Sequence, residues 1–185
     1  MKKLFRTLIP LFFVLAVLGS TRRAHALGPI GLEAGAMVGY GSNPESNAPT
    51  NILGVGLGAR AGVVLMDSLY GGVKIMDYLG GSSGGVSYHS LQYGVDVGYG
   101  FSVPLLTIRP QVGIGSIGFT GSADGISETN SSLYIEPGVT ALIGLGLLYV
   151  GADVNYMIIT GAEQADGSSK TDGALTIHAQ IGVKL

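Results

Sequence analysis

The last eleven residues constrain this chain more than any other stretch. Leu175, Ile177, Ala179, Ile181, Val183 and Leu185 are apolar, while Thr176, His178, Gln180, Gly182 and Lys184 between them are polar or small. That two-residue period is the pattern of a β-strand with one apolar face. A strand at the chain's end can pair with an equivalent strand at its start and leave the sheet without an edge. The same alternation recurs seven times upstream.

The first recurrence, residues 30–41, sets Ile30, Leu32, Ala34, Ala36, Val38 and Tyr40 against Gly31, Glu33, Gly35, Met37 and Gly39. Residues 42–51, rich in Pro and Asn, are expected to form a loop. A second strand carries Leu53, Val55, Leu57, Ala59, Ala61, Val63 and Leu65, and a tight turn at Met66-Asp67-Ser68 leads to a third over residues 69–76. A Gly/Ser loop is predicted over residues 80–90. Strand four then runs from Leu91 through Tyr93, Val95, Val97, Tyr99 and Phe101 to Val103, and a turn at Pro104 leads to strand five, where Pro110 shares the apolar face. Residues 118–131 form the third predicted long loop. Strand six follows with Leu133, Ile135, Pro137, Val139, Ala141 and Ile143, and Gly144-Leu145-Gly146 turns the chain into strand seven, residues 148–158. Residues 160–173 are the fourth long loop before the closing strand. Strands of roughly ten residues, alternating short turns with long polar loops, are the signature of an all-β, eight-stranded, antiparallel up-and-down transmembrane barrel. With an even strand count, both ends and the short turns are expected on one side of the membrane and the four long loops on the other.

Composition sets the boundaries of the unit. The one solid apolar run, residues 8–18, is too short to cross a hydrocarbon core about 30 Å thick as a helix. It lies behind Lys2, Lys3 and Arg6 and ahead of Ala24-His25-Ala26, the layout of a cleavable signal peptide over residues 1–26. The barrel unit would then be residues 27–185. Removing the leader takes half of the basic residues and leaves five against twelve acidic ones, which argues against a nucleic-acid partner. The chain has no Cys, so neither a disulfide framework nor a thiolate metal site is available.

Periodicity alone also fits a soluble lipocalin-like carrier with its apolar face turned inward. The second face separates the two. A wet exterior needs many charges, yet each strand offers about one charge among glycines, which suits a narrow lumen with lipid outside. Aromatic residues on the apolar face fall at its two ends: Tyr40, Tyr93 and Tyr156 toward the loops, Tyr99 and Phe101 toward the turns, the expected places of interfacial belts.

The inward face carries Glu33, Arg60, Lys74, Asp96, Arg109, Glu136, Asp153 and His178, one on each strand in order. Their heights agree to within about 15 Å, so they are expected to form an ionic network filling the lumen, with Glu33 paired to Arg60, Lys74 to Asp96 and Arg109 to Glu136. A gate opened by exchange of partners is the alternative. His178 also raises the question of catalysis, but no serine completes an arrangement with it and Asp153, and nothing upstream or downstream completes a triad around His89 and Ser90 in the second loop. The Gly56-Leu57-Gly58-Ala59-Arg60-Ala61 run fits the dinucleotide fingerprint formally, but no helix follows it. The predicted loops are acidic, with Glu45, Asp124, Glu128, Glu163, Asp166 and Asp172 against Lys170, in no calcium-loop spacing. No cofactor, metal or enzymatic activity is expected.

Taken together, the leader ending Ala24-His25-Ala26, the eight alternating segments and the terminal strand from Ile177 to Leu185 give a chain that resembles the small eight-stranded outer-membrane barrels, the OmpA-type transmembrane domain and the OmpX-like proteins. The resemblance is one of pattern and covers the chain beyond the leader. It implies a monomer in the outer membrane of a Gram-negative bacterium, surrounded by lipid and lipopolysaccharide. It further implies delivery by the barrel-assembly machinery, which reads the terminal residues, here Ile181, Val183 and Leu185, where the family usually ends in Phe. A peptidoglycan-binding domain of the OmpA type is not expected. The role implied is structural or one of surface interaction through the outer loops; the rivals are a narrow or gated pore, a lipid-modifying enzyme that depends on His178, and a soluble carrier.

Overall fold

The computed structural model describes residues 30–44, 50–123, 126–163 and 169–185. The expected leader over residues 1–26, and the loop residues Glu45, Asp124 and Asp166, lie outside the described residues. The elements are β1 (Ile30–Gly41), β2 (Gly54–Leu65), β3 (Leu69–Ser83), β4 (Val86–Tyr99), β5 (Phe101–Val103), β6 (Leu106–Ala123), β7 (Ile126–Leu145), β8 (Leu148–Glu163) and β9 (Ser169–Lys184). β5 continues the line of β4 beyond Gly100 and pairs with the same neighbour, β6, so the wall has eight staves. Every pairing joins consecutive staves in antiparallel sense, and β1 closes the ring on β9. At the seam Leu32 and Leu185 exchange both backbone bonds, at 2.8 and 2.9 Å. A ring sealed in this way has no unpaired edge, so the backbone groups of every stave face a neighbouring stave on both sides.

The alternation read from the sequence sorts the side chains. Leu57, Val73, Val95, Ile114, Val139, Val154 and Ile181 project outward and are 46 to 60% exposed, whereas Glu33, Arg60, Lys74 and Asp96 between them are buried in the lumen. Large inward side chains fit because glycines stand opposite them. A Cβ on Gly39 would collide with the His178 ring, and one on Gly138 with the Asn155 amide.

Three predicted loops are largely ladder instead; one of them, the fourth loop at residues 160–173, is strand at both ends, paired through Ala162–Lys170 and Glu163–Ser169. Within residues 80–90 the strands β3 and β4 continue to a two-residue turn at Gly84-Gly85, whose φ angles of 59° and 82° give a hairpin turn with both central residues left-handed. Residues 118–131 likewise carry the β6–β7 hairpin, paired as far as Ala123 and Ile126. β7 is 20 residues long, about twice what a tilted strand needs to cross a bilayer, so this hairpin stands well clear of the apolar belt. Leu53 is also corrected. Its predicted place was on the outer face, but Gly54 with φ of 73° turns the chain and Leu53 is fully buried.

Both prolines sit in the wall with outward-facing rings. Pro110 pairs with Val139, and Pro137 with Val112. The β7–β8 ladder skips from Ile135–Ile158 to Gly138–Asn155. The gap falls where Pro137 has no N–H to donate.

Candidate functional site

Of the eight inward ionisable residues, each is at most 5% exposed, but their partners are not those expected from neighbouring strands. Register explains the difference. Arg60 lies directly opposite Lys74 on β3 and Gly35 on β1, while Arg109 lies opposite Thr140 on β7. With like charges or no charge alongside, the long cations cross the lumen. Arg109 Nη2 donates to both Glu33 carboxylate oxygens, at 3.0 and 2.8 Å, and Lys184 Nζ lies 3.0 Å from Glu33 Oε1. Lys74 pairs with Glu136, and Arg60 Nη2 and Nη1 lie 3.9 Å from Asp96 and Asp153. Glu33–Arg60, Lys74–Asp96 and Arg109–Glu136 are therefore replaced by pairs that tie non-adjacent staves, with Lys184 joining Glu33 from the adjacent β9.

Two carboxylates act as hubs. Glu136 accepts from Lys74, from Gln92 Nε2 at 3.0 Å and from the Thr176 hydroxyl at 2.9 Å, linking β7 to β3, β4 and β9. Asp153 accepts from Asn155 Nδ2 at 2.7 Å and Gln180 Nε2 at 3.2 Å, and its Oδ1 lies 2.5 Å from His178 Nδ1. On the other side of that ring, His178 Nε2 is 2.7 Å from the Tyr78 hydroxyl. Hydroxyl, imidazole and carboxylate thus line up in the order used for nucleophilic catalysis. All three are at most 1% exposed. Below this level both Arg60 and Arg109 stack on the Tyr70 ring, 4.8 and 4.1 Å from its centroid.

Above the polar layer lies a layer that sequence reasoning did not single out. Met37, Leu53, Met76, Tyr78, Ile117, Tyr134, Met157, Ile159 and Ala174 form one buried apolar cluster, with Phe119 packed on it. Met37, Met76, Tyr134 and Met157 already read as inward in the alternation, where what drew attention was charge; Leu53 read as outward, and Tyr78, Ile117, Ile159 and Ala174 lay beyond the predicted ends of their strands. The ionisable residues therefore lie nearer the short turns, among buried Val64, Tyr70, Leu142 and Tyr149, and this cluster lies nearer the hairpins, beside buried Ser90 and Ser132.

The predicted belt residues all sit on the outer face. Tyr40, Tyr93, Tyr99, Phe101 and Tyr156 are 51 to 58% exposed, and Tyr99 meets Phe101 edge-on with centroids 5.1 Å apart. Ile181 and Leu185 are exposed at 58 and 63%, and Val183 faces out beside them at 39%. His89 pairs at 2.5 Å with Asp77 on the outer surface, away from the lumen. Among the described residues no cluster of His, Asp and Glu is placed to hold a metal ion.

An all-β closed ring of eight antiparallel staves with an apolar exterior and its ionisable side chains turned inward defines the class: this is the fold of the small outer-membrane barrels. Solved structures that share it include three outer-membrane proteins. The Neisserial surface protein A (NspA) superposes with a TM-score of 0.61 at 12% identity, over 85% of this chain and 98% of that one. A major outer membrane protein from Thermus thermophilus gives 0.63 at 12% identity, over 84 and 99%. Ail, the attachment invasion locus protein of Yersinia pestis, gives 0.56 at 13% identity, over 84 and 97%. At these identities the likeness is one of fold. No family model matches the sequence, and no curated protein does either.

Proposed function

We propose that this chain is an integral outer-membrane protein of a Gram-negative bacterium, a single-chain barrel without enzymatic activity that acts structurally and through the hairpins above its outer rim. The observation that carries the reading is the vertical extent of the apolar exterior. On β7 the outward residues are apolar from Leu133 to Leu145 and hydroxylic at Ser127, Thr129 and Ser131. The band ends likewise at His89 on β4, Ser116 on β6 and Thr160 on β8, while on β3 Asp77 interrupts it one outward position before Leu79. About eleven residues per stave is the height a tilted strand needs for a bilayer. Lipid and lipopolysaccharide would cover that band, with Tyr40, Tyr93 and Tyr156 at one interface and Tyr99 and Phe101 at the other. The strand ending in Ile181, Val183 and Leu185 would be the segment offered to the barrel-assembly machinery.

The cross-lumen pairs and the apolar layer above them support a filled interior in place of a pore. A surface-interaction role suits the long β6–β7 hairpin, and a structural neighbour is named for attachment. Outer membranes containing an epitope-tagged chain should give a band whose mobility in SDS shifts on heating. A heat-insensitive band in the soluble periplasm would overturn the membrane reading and turn the apolar face into a carrier surface.

A further inference from the structure

The polarity of the wall reverses above the apolar band. Within it, apolar side chains point out and polar ones in. In the β3–β4 and β6–β7 hairpins beyond it, the outer face is a row of hydroxyl pairs: Thr120–Thr129 and Ser122–Ser127 at 2.8 Å, and Ser82–Ser87 at 3.1 Å. The inner face there bears Val86, Tyr88, Phe119, Ala123 and Ile126, with Ile126 70% exposed. Strands in water that place hydroxyls outside and hydrocarbon inside are built around something apolar.

The inner faces enclose a cup of about 610 Å³, lined by Ile52, Val86, Tyr88, Phe119, Ile126 and Glu128 among others. That is the size of a small-molecule site, about 300–1,000 Å³, and its aliphatic and aromatic walls are joined by polar groups of Thr120, Glu128 and Asn130. Phe119 packs on the buried cluster containing Ile117 and Leu53, so the cup has a floor and does not continue into the ionic lumen. Glu128 is the one charged residue in its described lining. We infer that the cup binds a small amphiphile whose apolar body lies between Tyr88 and Phe119 and whose single positively charged end meets Glu128. The floor makes this a site of retention and not of passage.

The inference rests on the proposed outer-membrane placement, because it requires water around the hairpins. The two are tested separately. Placement is read from Ser127→Cys, whose thiol should react with an impermeant maleimide on intact cells. Binding is read on the full chain in phosphatidylcholine nanodiscs, with 4-phenylbutylamine, butylbenzene and 4-phenylbutyrate as probes and the Ile126 and Ile52 methyl resonances as reporters, against nanodiscs without protein. The amine should give saturable shifts at both methyls, about tenfold tighter than the carboxylate. Phe119→Ala and, independently, Tyr88→Ala should each weaken it about tenfold, the affinity carried by burying one aromatic side chain, and either suffices if the other variant does not fold. Glu128→Gln should erase the preference for amine over carboxylate while butylbenzene binds as before. The proposal is overturned if the amine gives no saturable shift, if affinity survives both aromatic truncations, or if Ile126 already shows contacts to another segment of this chain that the amine does not displace.

Discussion

Arg109 and Glu33, 76 positions apart and on staves that do not touch, are joined across the lumen by two bonds from a single guanidinium nitrogen. Glu33 is shared with Lys184, so the two partners are not equivalent. Glu33→Ala strips two cations of their carboxylate, whereas Arg109→Ala leaves Glu33 still paired. Removing one member of a buried pair costs about 3–5 kcal/mol. Glu33→Ala should fall in that range and Arg109→Ala below it. The double replacement by Leu should cost less than Glu33→Ala alone. Urea unfolding midpoints of the barrel in lipid vesicles provide the measurement.

Glycine substitutions should separate by face. Gly39→Ala drives a methyl into the His178 ring and disturbs its contacts to Tyr78 and Asp153, an overpacking cost of about 1–3 kcal/mol. Gly71→Ala meets nothing within 4 Å, and should stay within about 0.5 kcal/mol of the parent, as unconstrained surface changes do. Equal losses at both sites would mean that space in the lumen is not what selects glycine at position 39.

The edge of the apolar band can be mapped chemically, since a chain with no Cys gives a silent background. Ser131→Cys should label with an impermeant maleimide on intact cells. Asp67→Cys, at the opposite turn, should label only after the outer membrane is opened. Ile135→Cys, four residues below Ser131 on the same outer face, should resist in both conditions.

Conductance should not follow the lumenal charges. Arg60→Ala and Arg109→Ala should give planar-bilayer traces like the parent, because the apolar layer from Met37 to Ala174 lies above both. Discrete steps appearing in either variant would instead identify the ionic layer as the gate.

How far the sequence could be read depended on what sets each feature. Alternation is local, so the staves, their inward and outward faces and the ring closure were all visible in residues such as Leu175 to Leu185. Pairing across the lumen is not local. Nothing near Arg109 in the chain marks Glu33 as its partner, and the neighbours that register supplies, Thr140 for Arg109 and Lys74 for Arg60, exclude the simple adjacent pairs. The hairpins were mistaken for loops for a different reason: above the membrane the period of two persists with its sign reversed. Phe119 turns in while Thr120 and Ser122 turn out, so a reading keyed to outward hydrocarbon loses the strand where the solvent changes. Gly84-Gly85, a two-residue hairpin turn between Ser83 and Val86, was the local signal that could have recovered one of them.

The exchange of backbone bonds between Leu32 and Leu185 gives the wall a property that an open sheet lacks. Each stave has two neighbours of the same kind, so the ring has no structural first member, and the order of synthesis is only one of the ways in which it could be cut. Of all contacts in the barrel, this seam spans the longest stretch of chain and bears the greatest cost of loop closure. Folding therefore resembles the closing of a bracelet, in which the clasp fastens after the links are joined, and a chain reopened at Gly84-Gly85 and linked between its present ends would carry the same bracelet with the clasp moved.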